Sequence, residues 1–215
     1  MRHRLLAVAL VLAIANTAVE ALDLRAATYL LKPLATLALV ALVLSVRTTT
    51  RYRAWIAAGL VASLAGDILL MLPQGLFVPG LVAFLAAHLC YIAAFAGDGA
   101  GRRTPWLPAL PVYGVAGIVL TILWPSLGAM RFPVACYVAV ISTMSWQALA
   151  RWQVVRSAGA AFAAVGSFFF LASDATLAYA RFVAPFTAAS FVIMTTYYAA
   201  QFGIALSVAD ERSTA

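Results

Sequence analysis

The chain has 215 residues, 65% of them hydrophobic and 10% charged, with a mean hydropathy of +1.00. A soluble domain carries roughly 25% charged and 45–50% apolar residues, so the composition excludes a water-soluble fold and makes a lipid bilayer the solvent. The net charge of +7 does not indicate a nucleic-acid partner, because the basic residues are scattered between apolar segments as the positive-inside rule places them.

Spanning helices need about 20 apolar residues each, which leaves room here for about eight and for no soluble domain. We predict one integral membrane domain over 1–215, an all-α polytopic helical bundle. Its spans are expected at 5–22, 29–46, 54–72, 76–96, 106–127, 132–152, 159–180 and 184–207. The first begins with Arg2, His3 and Arg4 and ends in small residues near Ala21, like a secretory signal; we read it as a retained span. Breakers separate the others: Pro73-Gln74-Gly75, Pro79-Gly80, Gly97 to Pro105, Pro125 and Pro133. No segment alternates with the period of two that a barrel strand requires.

With the N-terminus inside, Arg2, Arg4, Arg47, Arg51, Arg53, Arg102, Arg103, Arg151, Arg156 and Arg212 are cytoplasmic, ten against four for Arg25, Lys32, Arg131 and Arg181. Both termini are therefore expected on the cytoplasmic side, in a bacterial inner membrane. A parallel 4+4 duplication is also a candidate. Asp67 precedes Tyr91 by 24 residues and Asp174 precedes Tyr197 by 23, and Pro79 and Pro185 each stand 12 before those tyrosines. Chance similarity between Ala-rich segments is the plain alternative.

Ionisable groups inside a span cost about 2.5–3.5 kcal/mol on insertion scales. Asp67 lies in span 3, Asp174 at similar depth in span 7, His88 mid-span 4, and Lys32 one turn into span 2. A snorkelling Lys32 and a packing role for His88 are the bland readings; two carboxyls at matched depth are harder to set aside. Phe84, His88, Tyr91 and Phe95 share one face of span 4, and Met194, Tyr197 and Gln201, with Tyr198 alongside, share one of span 8. These faces are candidate walls of a polar cavity. No HExxH, GxSxG, P-loop or dinucleotide fingerprint is present, so neither a metal nor a cofactor is expected. Cys90 and Cys136 lie in apolar segments and are not expected to pair.

Several motifs resemble the YhhN family of membrane proteins, whose characterised members are lysoplasmalogenases. They are Lys32-Pro33-Leu34, the run Ser63 to Leu70 containing Gly66-Asp67, Gly80 to Phe84, and His88-Leu89-Cys90-Tyr91. Phe170 to Asp174, Arg181-Phe182 and Tyr197-Tyr198-Ala199-Ala200-Gln201 complete the set. The resemblance runs from about Leu30 to Leu206. It implies hydrolysis of the vinyl ether bond of a lysoplasmalogen to a fatty aldehyde and a glycerophospho-alcohol. The partners would be a lysophospholipid and the bilayer. Asp67 and Asp174 would then be an acid–base pair, and Lys32 would hold the substrate phosphate. His88, Tyr91, Tyr197, Tyr198 and Gln201 would line the binding site. Two other classes stay open on the residues alone: a proton-coupled carrier, which needs a polar path reaching both sides of the membrane, and an intramembrane aspartyl protease, which needs a lateral gate.

Overall fold

The computed structural model describes residues 2–47, 49–97 and 105–208. Among them are eight α-helices and no strand: α1 Arg2–Ala21, α2 Arg25–Leu44, α3 Arg51–Met71, α4 Phe77–Gly97, α5 Ala109–Leu123, α6 Arg131–Val155, α7 Ala158–Phe182 and α8 Ala189–Leu206. All eight segments are long and apolar enough to cross a membrane, α5 and α6 when the short 3₁₀ turns beside them are included. The chain is thus an integral membrane helical bundle. Of the orientation count, Arg102, Arg103 and Arg212 lie outside the described residues.

Local chemistry sets the helix ends. Thr50 and Ser157 cap α3 and α7, each side-chain oxygen accepting from the backbone N–H three residues on, at 3.1 Å. Proline explains where ends differ from expectation. α5 is confined between Pro108 and Pro125, and its last turn tightens to a 3₁₀ turn at Trp124–Ser126. α8 begins at Ala189 rather than 184, because Pro185 disfavours helical geometry in the residue before it. α6 and α7 are longer than expected, 25 residues each.

Seven helices close a ring in the order α1–α2–α3–α4–α6–α7–α8 and back to α1, while α5 leans on α6 from outside. The closest pairs are α3 with α4 and α7 with α8. Small residues permit this approach, as is usual where helices associate without water to drive them. A Cβ on Gly66 would fall 2.7 Å from the Phe84 ring, and one on Gly203 would fall 2.8 Å from the Gly166 Cα. The ring's interior holds Leu39, Ile56, Leu60, Tyr91, Phe95, Phe170 and Ile204, all nearly inaccessible. Large apolar side chains such as Val11, Ile118 and Phe132 face outward, as a lipid-facing surface requires.

Candidate active site

Asp67 is the best-connected group in the bundle. It sits in α3 and is 1% exposed. On the next helix, Lys32 and Thr36 are four residues apart and so present one face. The Lys32 Nζ lies 3.8 Å from Asp67 Oδ1, and the Thr36 hydroxyl donates to Oδ2 at 3.0 Å. From α8, the Tyr197 hydroxyl donates to the same Oδ2 at 2.6 Å. The arrangement extends both ways. Glu20 of α1 approaches Lys32 at 3.5 Å. Gln201 Nε2 donates to the Tyr197 hydroxyl at 2.8 Å, and the Tyr91 hydroxyl donates to Gln201 Oε1 at 3.2 Å. Four helices and the facing tyrosine of a fifth are tied to one carboxylate, whose negative charge is answered by a cation and two hydroxyl donors.

Asp174 of α7 is only half-buried, and among the described residues no cation pairs with it. Its partner is the Tyr137 hydroxyl of α6, which donates to Oδ2 at 2.5 Å.

Two cavities meet at this residue. A polar one of about 430 Å³ opens at the end of the bundle formed by the α1–α2, α3–α4 and α7–α8 turns; its wall includes Glu20, Arg25, Lys32, Asp67, Asp174 and Tyr197. An apolar one of about 350 Å³ lies between α4, α5, α6 and α7 and is lined by side chains such as Leu81, Val112, Ala116, Ile141 and Phe168. Leu70, Phe84, Asp174 and Leu177 belong to both. The site is amphiphilic, with one carboxyl on the seam.

The residues singled out in sequence divide accordingly. Asp67, Asp174, Lys32 and Tyr197 line the polar cavity. Tyr91 and Gln201 stand behind its wall, in the hydrogen-bond chain that ends on Asp67. Tyr198 packs on Tyr197, ring centroids 5.3 Å apart, and is not part of the wall. His88 is enclosed by the rings of Phe170, Tyr137 and Tyr91, with centroids 4.8, 5.3 and 6.5 Å away, and faces neither cavity. Lys32 does not snorkel outward; it is buried between two carboxylates. The described residues hold no His, Cys, Asp and Glu cluster fit for a metal, and both cysteines are free.

Sequence reasoning missed Thr36, Glu20 and Tyr137. The first had a signal in its four-residue spacing from Lys32, and the second in being a carboxylate within a span. Tyr137 had none beyond lying in the apolar first half of its helix.

The YhhN family profile matches residues 27–208. The chain belongs to the YhhN family. It is 39% identical over 162 residues to a lysoplasmalogenase TMEM86A of Bos taurus, covering 72% of this chain and 65% of the relative. It is 35% identical to a lysoplasmalogenase TMEM86B of Sus scrofa, over 84% of this chain and 75% of that one. A lysoplasmalogenase of Mycobacterium bovis is 34% identical, over 70% of this chain and 59% of its own length. The match thus spans less than two thirds of the first and third of these relatives, 65% and 59%, and three quarters of the second. No solved structure matches it. Glu20, Asp23 and Arg25, on the polar rim, precede the matched residues of this YhhN chain.

Proposed function

We propose that this YhhN protein hydrolyses the vinyl ether bond of a lysoplasmalogen. The observation that carries the reading is the meeting of a polar and an apolar cavity at Asp174. A single-chain lipid has the matching form: a charged headgroup, a glycerol, and one long chain whose first two carbons carry the vinyl ether. The headgroup occupies the polar cavity, with Lys32 toward the phosphate. The alkenyl chain occupies the apolar one, and the scissile group falls between them.

Vinyl ethers hydrolyse by protonation at carbon. Asp174, in its acid form, gives its proton to the alkene carbon remote from oxygen. The π electrons form the new C–H bond, and the positive charge settles on the carbon–oxygen unit as an oxocarbenium ion. Water adds to that carbon and surrenders a proton to Asp67, the carboxylate already held by Lys32, Thr36 and Tyr197. The hemiacetal collapses to a fatty aldehyde as its hydroxyl proton passes to the Asp174 carboxylate and Asp67 gives its proton to the departing oxygen of the glycerophospho-alcohol, which returns both carboxyls to their starting forms. The division of labour parallels that of paired carboxyls in glycosidases. A carrier for a small polar solute would use the Lys32–Asp67 pair but has no need of an apolar cavity opening on the second carboxyl.

We place both termini on the cytoplasmic side of a bacterial inner membrane, which puts the polar cavity's mouth toward the outer leaflet. The proposal is tested with purified protein in lipid nanodiscs. Lysoplasmalogen should yield aldehyde, saturated ether lysolipid should not, and Asp174→Asn should stop the release. Aldehyde release that survives both Asp67→Asn and Asp174→Asn refutes the mechanism.

A further inference from the structure

Among the described residues, four side chains reach both cavities, and one of them is aromatic. Phe84 of α4 touches the polar space and the apolar space, as do Leu70, Asp174 and Leu177. Its ring is clamped rather than loosely packed. Gly66, the residue before Asp67, leaves the room it occupies, since any Cβ there would lie 2.7 Å from two of its ring carbons. Phe170 and Tyr197 meet it at steep angles, with centroids 6.4 and 6.0 Å away and interplanar angles of 70° and 90°. The phenol of that same Tyr197 donates to Asp67. The ring is therefore held in place by the neighbour and the partner of one carboxyl while it lines the cavity seam with the other.

We propose that Phe84 is a catalytic residue that stabilises a cation at this seam through the face of its ring. The inference rests on the hydrolase reading for the identity of that cation, the oxocarbenium ion. Proton transfer from Asp174 creates a full positive charge where two of the other three shared side chains are leucines. An aromatic face attracts a cation within about 6 Å, by an amount that grows as water is excluded. The attraction is absent before the proton moves, because the vinyl ether is neutral. It therefore acts on the transition state and not on substrate binding. The Gly66-Asp67 pair gains a joint purpose: the aspartate serves as base, and the glycine lets the ring approach beside it.

Fluorination tests this without changing the packing much, since it drains the ring's negative face while leaving its shape nearly intact. Replacing Phe84 with 4-fluoro-, 3,5-difluoro- and 3,4,5-trifluorophenylalanine should lower kcat stepwise, by about tenfold across the series, with KM nearly constant. Phe84→Leu should lose at least as much. A flat series, in protein that still releases aldehyde, overturns the role of Phe84 and leaves the hydrolase reading standing. A second arm needs no turnover. The same proteins are offered a saturated ether lysolipid and its analogue with a secondary ammonium in place of the ether oxygen. Preference for the charged analogue should fall in step with fluorination. If it falls while the unmodified protein releases no aldehyde, the cation site holds and the hydrolase reading fails. If it does not fall, the cation site is refuted.

Discussion

Asp67 and Asp174 occupy matching places along the chain, late in α3 and α7, with tyrosines 24 and 23 residues further on. Their surroundings are opposite. Asp67 is buried at the wall of the polar cavity, paired with Lys32 and bound by Thr36 and Tyr197. Asp174 is half-buried, has one phenol donor from Tyr137, and borders an apolar cavity. Nor do the tyrosines obey the candidate repeat: Tyr197 of the second half bonds the aspartate of the first, while Tyr91 is linked to it through Gln201 and then Tyr197. The two positions that the candidate repeat would match are unlike groups in space. One carboxyl is held within a network of polar and charged groups, and the other borders an apolar cavity.

The comparison is broken most severely at Asp174. Asp174→Asn should reduce aldehyde release by about 10³-fold, within the range typical of a lost general acid, and leave the midpoint of thermal unfolding nearly unchanged. Asp67→Asn should behave differently, losing about 10²-fold in activity and also stability, because it leaves the buried Lys32 with Glu20 as its one remaining carboxylate. With that partner kept, the loss should stay below the roughly 3–5 kcal/mol of a buried charge left unpaired. The contrast sharpens in a double variant: Lys32→Met added to Asp67→Asn should recover much of the lost unfolding temperature and none of the activity. Equal destabilisation by the two single asparagine variants would erase the distinction drawn between the sites.

Tyr137→Phe removes the hydrogen bond to Asp174 and should lower kcat about tenfold, the scale of a hydrogen bond to a charged group, with little change in KM. The smallest effect is expected in the apolar cavity. Ala116→Phe fills part of it and should raise KM several-fold for long-chain substrates while sparing short-chain ones. A uniform change across chain lengths would place the alkenyl chain elsewhere.

Much of this was legible in the sequence, for reasons that can be named. Eight helices follow from composition and breakers, because lipid leaves the backbone few other choices. Asp67, Asp174 and Lys32 stood out because charge in hydrocarbon is costly. Helix ends at Pro108, Pro125 and Pro185 were placed less well, since a proline announces a break without saying on which side the helix resumes. The asymmetry between the aspartates was illegible. It depends on which helices become neighbours in the ring, and periodicity within α6 or α8 does not say that Tyr137 will meet α7 or that Tyr197 will meet α3. His88 shows the same limit in reverse: a costly polar residue in mid-span, it is enclosed by aromatic rings and faces neither cavity.

If the Asp174 carboxyl at the seam of the two cavities is the proton donor, it reaches the alkene carbon from one side. Hydrolysis of a lysoplasmalogen in D₂O, with the aldehyde trapped at once by reduction to the alcohol, tests this. One deuterium on the carbon next to the carbinol, in a single configuration, is the expected result. Equal amounts of the two configurations, or an alcohol without deuterium, would contradict it.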